Sequence, residues 1–135
     1  MSEEEALAVG PNEQLARFVF YKGWIRSSDS TIRPDAFIPH PHHDLSVTRH
    51  NDLSGQQLWD IGRNIAISRQ KPLLGRADVS AATVRCQSLE IAPDPVHDNP
   101  NHAIISGWPA DKAAQKSIAQ QLAEASTFRK PASIS

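Results

Sequence analysis

The chain has 135 residues, of which 39% are hydrophobic, and a formal net charge of −1. This length suits one domain and is short for two well-stabilised ones, while the near-neutral charge gives no global case for a polyanion partner. The single cysteine, Cys86, excludes an internal disulfide framework, and no apolar run approaches the roughly 18 residues of a membrane span. We therefore expect a cytoplasmic protein without membrane association.

The two ends of the chain differ in composition from its middle. Residues 1–14 carry four glutamates and no Lys or Arg, so we expect a flexible acidic segment. This segment lacks an apolar run and is not expected to be a secretory signal peptide. Residues 15–128 are predicted to form a single domain, and residues 129–135 a flexible tail.

The first part of the domain contains the signals of three extended segments. Aromatic and β-branched residues predict a strand over residues 17–25. A second piece, residues 31–38, should be an edge or irregular because Pro34 lacks the donor that a central strand needs. Alternating apolar and polar residues predict a half-buried strand at residues 45–48.

The first helix is predicted to follow Ser54. This residue is a good N-cap, and Gln57 three residues later completes a capping box. Apolar residues then recur at helical spacing, and Pro72 ends the segment.

The second part of the domain adds further strands and a helix. Residues 75–78 resemble a turn, and residues 79–91 predict one irregular strand in which Cys86 is a small buried residue. A short strand at residues 102–106 and a second helix beginning at Pro109 follow. Together these elements predict an α+β fold, with a mostly antiparallel sheet of four to five strands and two helices packed on one face.

The segment His40-Pro41-His42-His43-Asp44 is the sharpest candidate for chemistry. In an extended chain, His40, His42 and Asp44 project to one side and His43 to the other. Two imidazoles and a carboxylate on one side are the ligand types that suit a divalent metal such as zinc, iron or nickel.

A second group of metal-ligating residue types, His97, Asp98 and His102, lies in or beside a later proline-rich loop. If folding joined the two groups, a metal-activated water for hydrolysis would result. The spacing is not diagnostic of a metal site, and the flanking prolines favour an exposed loop. We therefore expect no cofactor and keep a divalent metal as the alternative.

Metal-free phosphoryl transfer of the ribonuclease kind is another interpretation. It requires a base, an acid and a cation near the phosphate, which His42, His102 and either Arg33 or Arg49 would supply. The linear sequence does not place these residues together.

Positive charge is concentrated in residues 61–86. This stretch carries five cations against one carboxylate, a local charge of 5 − 1 = +4, which suits a phosphate or an acidic partner. The alternative is a solvated face whose charges are dispersed by folding. The cations are Arg63, Arg69, Lys71, Arg76 and Arg85, and the carboxylate is Asp78.

The tryptophans Trp24, Trp59 and Trp108 fit core or groove positions. Exposed on one face together with Arg26, they would instead form a binding anchor. The core position is the simpler interpretation of the two.

Several short runs occur in a characteristic order: Arg33-Pro34-x-Ala36-Phe37-x-Pro39, Leu45-Ser46-Val47-x-Arg49, Leu58-Trp59-x-Ile61-Gly62, Gly75-Arg76-Ala77-Asp78-Val79, and His102-Ala103-x-Ile105-x-Gly107-Trp108-Pro109 followed by Lys112 to Lys116. Over roughly residues 17–127 the chain resembles a group of small, hypothetical bacterial proteins. The resemblance implies a bacterial origin. It implies no catalytic role, because that group has no established activity.

We expect a small binding or accessory module that recognises a protein or an anionic ligand through a partly basic face. The competing hypothesis is a hydrolase or nuclease that uses His and Arg residues, with or without a metal, and a third is a component of a toxin–antitoxin or defence module. Nucleic acid as a ligand and a homo-oligomeric state are left open. The candidate binding residues are Arg33, Arg49, Arg76, Asp78, His102 and Trp108.

Overall fold

The structure, a computed structural model, describes residues 8–39 and 44–131. Within this part of the chain, six strands form one antiparallel sheet in the order β4-β5-β2-β1-β3-β6. The α+β class and the antiparallel sheet are confirmed, with more strands than the predicted four to five. The strands are β1 (Gln14–Val19), β2 (Leu45–Arg49), β3 (Gly75–Ser80), β4 (Glu90–Pro93), β5 (His102–Ser106) and β6 (Thr127–Arg129).

Three α-helices and two short 3₁₀ segments accompany the sheet in the described residues. The helices are α1 (Gly55–Arg69), α2 (Ala81–Cys86) and α3 (Lys112–Ala125), and the 3₁₀ segments are Lys22–Trp24 and Pro34–Phe37. The prediction of two helices was therefore one short.

The helices pack on both faces of the sheet, so the prediction that they share one face was wrong. Neighbouring residues of a strand point to opposite faces. Leu15 belongs to the main core with residues of α2 and α3, whereas Ala16 belongs to a smaller core with Leu58 and Ala66 of α1. We call these two sides the α3 face and the α1 face.

Helix α1 begins with the predicted capping box. The Ser54 hydroxyl accepts a hydrogen bond from the Gln57 backbone amide at 3.1 Å, and the Gln57 side chain accepts one from the Ser54 amide at 2.8 Å. The helix ends before Gln70, which takes the left-handed conformation with φ 54°. Local residues thus determine both ends of α1.

Helix α2 replaces the middle of the strand predicted at residues 79–91. The Ser80 hydroxyl accepts from the Thr83 backbone amide at 3.1 Å and caps this helix, which separates β3 from β4. Cys86 consequently lies exposed at the helix end instead of buried in a strand. Residues 75–78, predicted as a turn, are part of β3.

The strand predicted over residues 17–25 is shorter than expected and begins earlier. Strand β1 ends at Val19, and the 3₁₀ segment follows. Pro34 opens the second 3₁₀ segment, which agrees with the irregular structure predicted there. Strand β2 lies where alternation predicted it, and β5 coincides with the short strand predicted at residues 102–106.

The residues before β1 contribute to the fold. Val9 is buried in the main core, and its carbonyl accepts from Arg85 at 2.8 Å. Glu13 pairs with Arg49. Among the described residues, no helix combines the length and the apolar character needed to cross a bilayer.

Candidate functional site

Helix α1 covers the part of its face formed by β1 and β3 and leaves the β2–β5–β4 part open. The α1 side chains pack on Ala16 and Phe18 of β1. In contrast, Ser46 of β2 and Ala92 of β4 are exposed. A cleft therefore runs between α1 and the uncovered strands.

This α1 cleft consists of two adjoining cavities that share Ile65, Arg69 and His102 in their walls. The first has a volume of about 50 Å³ and the second about 190 Å³. The first cavity is further lined by Ala16, Arg17, Phe18, Phe20, Ser46, Val47 and Thr48, and the second by Ser68, Val96, Asp98 and Asn99.

Arg17 borders the first cavity at the point where β1 and β2 cease to pair. The ladder between these strands covers two residue pairs and ends at Ala16 and Thr48. Beyond it, Arg17 Nη1 donates to the Ser46 carbonyl at 3.0 Å, and Nε donates to the Ala36 carbonyl at 2.8 Å. The guanidinium is thus held in place by two neutral acceptors.

Arg69 enters the same cavity from the last turn of α1. Its guanidinium lies 5.4 Å from the centroid of the Phe20 ring. Burial, and next the positive charge of Arg69, lower the pKa of Arg17 to about 10, so Arg17 remains charged at neutral pH. Within the described residues, neither arginine is in an ion pair with a carboxylate.

His102 stands between the two cavities and is oriented by Asp94. Its Nδ1 lies 2.9 Å from the Asp94 carbonyl oxygen and 3.1 Å from Oδ2 of the same residue. Both neighbours are acceptors, so Nδ1 carries the proton, and the neutral ring has its lone pair on Nε2. In the described part of the chain, Nε2 has no hydrogen-bond partner.

The loop between β4 and β5 is tied to the sheet beneath the cleft. Asn99 is fully buried, and its side-chain amide donates to the Thr48 hydroxyl at 2.9 Å. The backbone carbonyl oxygen of Asn99 accepts a hydrogen bond from the His102 backbone amide at 3.1 Å. These bonds hold His102 in a defined position relative to β2.

Three of the predicted site residues lie away from the cleft. Arg33 is exposed and precedes the second 3₁₀ segment. Arg49 is opposite Leu15, so its side chain lies on the α3 face, where Nε donates to Glu13 Oε2 at 2.6 Å. This bond to Glu13 raises the pKa of Arg49. Trp108 is buried in the main core and donates to the Ile105 carbonyl at 3.1 Å.

Arg76 and Asp78 are brought together, although not with His102. Arg76 Nε donates to both Asp78 oxygens at 3.0 and 3.1 Å, and its guanidinium stacks over Trp59 at 4.5 Å. Arg129 and His50 also contact the same carboxylate at 3.1 Å. We call these side chains the Asp78 cluster.

The residues of the two metal hypotheses lie partly outside the described residues. His40 and His42 lie outside the described residues, while Asp44 is exposed. Of the later group, His97 is exposed and His102 contacts Asp94. The described residues contain no group of three or more His, Cys, Asp or Glu side chains arranged to hold a metal ion.

Sequence reasoning singled out His102 but missed Arg17, Arg69 and Asp94 as its neighbours. The sequence does indicate that Arg17 is unusual, because it occupies the strand position between Leu15 and Val19, both of which face the main core. A charged residue at a core-facing strand position needs hydrogen-bond partners or a counter-charge, because burial of an unpaired charge is unfavourable. The meeting of Arg17 with Arg69 had no local signal.

The chain matches no family model, no curated protein and no solved structure.

Proposed function

We propose that the protein is a binding module for a small anionic ligand that carries phosphate or carboxylate groups. The ligand enters the α1 cleft, and its anionic group binds between Arg17 and Arg69. The observation that carries this proposal is that Arg17 and Arg69 line one cavity and act on each other as like charges, without a carboxylate paired to either in the described residues.

The electrostatics of the α1 cleft support an anion. Burial lowers the pKa of Arg17 most, and repulsion by the like charge of Arg69 lowers it further. An anion between the two groups replaces this repulsion with two charge-assisted hydrogen bonds, which are about twice as strong as neutral ones. The planar guanidinium also suits the paired oxygens of phosphate and carboxylate.

The adjoining cavity provides room for the remainder of the ligand. It has a volume of about 190 Å³ and presents Ser68, Asp98 and Asn99 beside the exposed Val96. Polar and apolar groups in a concave site are typical of small-molecule recognition. His102, at the junction, can accept a hydrogen bond through Nε2.

Titration with pyrophosphate and citrate by isothermal calorimetry tests the proposal. The variant Arg69→Gln should bind the preferred anion roughly 10- to 100-fold more weakly, since a hydrogen bond to a charged group contributes about 1.5–3 kcal/mol. The matched control is Arg63→Gln on the same helix, because Arg63 pairs with Asp60 and does not line the cleft. An equal loss in both variants, or no anion binding by the native protein, would contradict the proposal.

A second candidate, hydrolysis of a phosphate ester, is favoured by the contact between His102 and Asp94. With Nδ1 held by Asp94, Nε2 can take a proton from water, whose oxygen then attacks phosphorus. The bond from phosphorus to the alcohol breaks, and solvent protonates the leaving alkoxide. Arg17 and Arg69 would stabilise the charge on the phosphoryl oxygens.

Turnover of an activated aryl phosphate separates this candidate from binding alone. His102→Gln should abolish turnover while the affinity for pyrophosphate stays within about twofold, and Asp94→Asn should slow turnover through loss of the ring's orientation. Native protein without turnover above the buffer rate, or with turnover unchanged in His102→Gln, would exclude hydrolysis by this histidine.

A further inference from the structure

A group of aromatic and basic side chains extends from the α1 cleft across the neighbouring surface. The Arg17 guanidinium lies 5.2 Å from the Trp24 ring centroid, and the Trp24 and Tyr21 rings are 4.8 Å apart. Lys71 Nζ lies 4.9 Å from the Tyr21 ring. We call this group, together with Arg69 and Phe20, the aromatic–basic patch.

The patch forms because the end of β1 meets the end of α1. Strand β1 stops at Val19, and the chain continues through Phe20 and Tyr21 into the first 3₁₀ segment. After α1 ends, the Leu74 amide donates to the Val19 carbonyl at 2.9 Å, which fixes the two segments side by side. Aromatic residues from one segment thereby come under cations from the other.

The charges in the patch are all positive. Arg17, Arg69 and Lys71 each contact an aromatic ring, and in the described part of the chain none of them forms an ion pair with a carboxylate. Tyr21 is 42% exposed, which is unusual for a large aromatic residue that already contacts a cation and a second ring. The patch therefore offers both positive charge and an accessible ring.

We propose that the aromatic–basic patch binds unpaired nucleotides of single-stranded nucleic acid. Phosphates bind Arg17, Arg69 and Lys71, while a base stacks on Tyr21. Aromatic rings beside a basic groove are the common means of holding single strands without sequence preference. This inference rests on the proposed function, because one phosphate occupies the anion position in the α1 cleft.

The chemistry of the patch argues against other anions. A duplex hides the faces of its bases, and inorganic phosphates and carboxylates have no ring to stack on Tyr21. A free nucleotide has the same chemistry as one link of a strand. Arg17 and Arg69 share one anion position and Lys71 lies at the Tyr21 ring, so the patch has cations for more than one phosphate of a strand.

Fluorescence anisotropy with a labelled single strand of roughly ten nucleotides tests the inference. Unlabelled competitors are the same sequence as a duplex, a mononucleotide, and linear polyphosphate of matched charge. We expect the single strand to bind about tenfold more tightly than the duplex or polyphosphate, with affinity falling as salt rises. A mononucleotide that competes as well as the strand would overturn the assignment to a strand.

Variants separate stacking from charge. Tyr21→Leu should weaken single-strand binding about tenfold and leave polyphosphate binding unchanged, since a leucine retains apolar bulk without a stacking face. Lys71→Gln should weaken binding of both, and Lys116→Gln, on the exposed surface of α3, is the matched control that should change neither. Thermal unfolding of each variant confirms that the fold is intact.

The results distinguish failure of the inference from failure of the proposed function. If pyrophosphate binding depends on Arg69 but the strand binds no better than polyphosphate and Tyr21→Leu has no effect, the inference is wrong and the proposed function stands. If neither pyrophosphate nor any polyanion binds, both are wrong.

Discussion

Asp78 illustrates how a single buried carboxylate organises several cations. Its side chain is 5% exposed, and it contacts Arg76, Arg129 and His50. The Nη1 atom of Arg76 is buried without a hydrogen-bond partner among the described residues, and stacking on Trp59 compensates only in part. Loss of the carboxylate would leave this arginine buried with no counter-charge.

We expect Asp78→Asn to lower the free energy of unfolding by about 3 kcal/mol, because removal of one partner from a buried ion pair leaves the other charge buried and unpaired. Urea denaturation monitored by tryptophan fluorescence measures the change. The control is Asp60→Asn, whose exposed pair with Arg63 should contribute less than about 1 kcal/mol. Equal stabilities of the two variants would show that the Asp78 cluster is not held by its carboxylate.

Arg17 and Arg49 show how partners decide the role of an arginine. Arg49 is buried against Glu13, with which it forms hydrogen bonds at 2.6 and 2.9 Å. Arg17 donates to two backbone carbonyls and keeps its full charge beside a cavity. Arg49 is therefore a structural cross-link between β2 and the segment before β1, whereas Arg17 is the residue that we propose as a ligand contact.

At the level of elements, the position of α1 depends on the close approach of Gly62 to β1. A Cβ atom at Gly62 would lie 2.6 Å from the Phe18 ring, so a side chain there would force the helix or the ring to move. Phe18 is buried between the sheet and α1. The same helix supplies Ile65 and Arg69 to the α1 cleft, so its distance from the sheet sets the cleft width.

Gly62→Ala should destabilise the protein by about 1–3 kcal/mol through overpacking, even though alanine favours helices over glycine. Thermal and urea unfolding measure the effect. Gly55→Ala at the start of the same helix is the matched control, because no atom lies within 4 Å of its added Cβ and no loss is expected. A Gly62→Ala variant as stable as the native protein would mean that α1 does not sit this close to Phe18 in solution.

At the scale of the whole molecule, the α1 cleft results from unequal coverage of the sheet. The α3 face is closed by α2, α3 and the second 3₁₀ segment over a main core that includes nineteen buried residues of the described ranges. In the part of the chain that the structure describes, the α1 face carries α1 and a smaller core of five buried residues. Among the described residues, α1 does not extend over all six strands of the sheet, which leaves the α1 cleft beside β5.

Sequence patterns were sufficient to predict the α+β class, the capping box that begins α1, and the strands β2 and β5. These features depend on neighbouring residues, because caps and alternation act within one turn or one strand. Helix α2 was not predicted, because residues 79–91 contain β-forming residues. The N-cap at Ser80 outweighs their preference for a strand. Three other features depend on contacts between distant parts of the chain. They are the face that α1 covers, the pairing of Arg49 with Glu13, and the position of Arg17, Arg69 and His102 around one cleft. The physical reason is that strand order and register bring distant residues together, and no short segment of the chain encodes them alone.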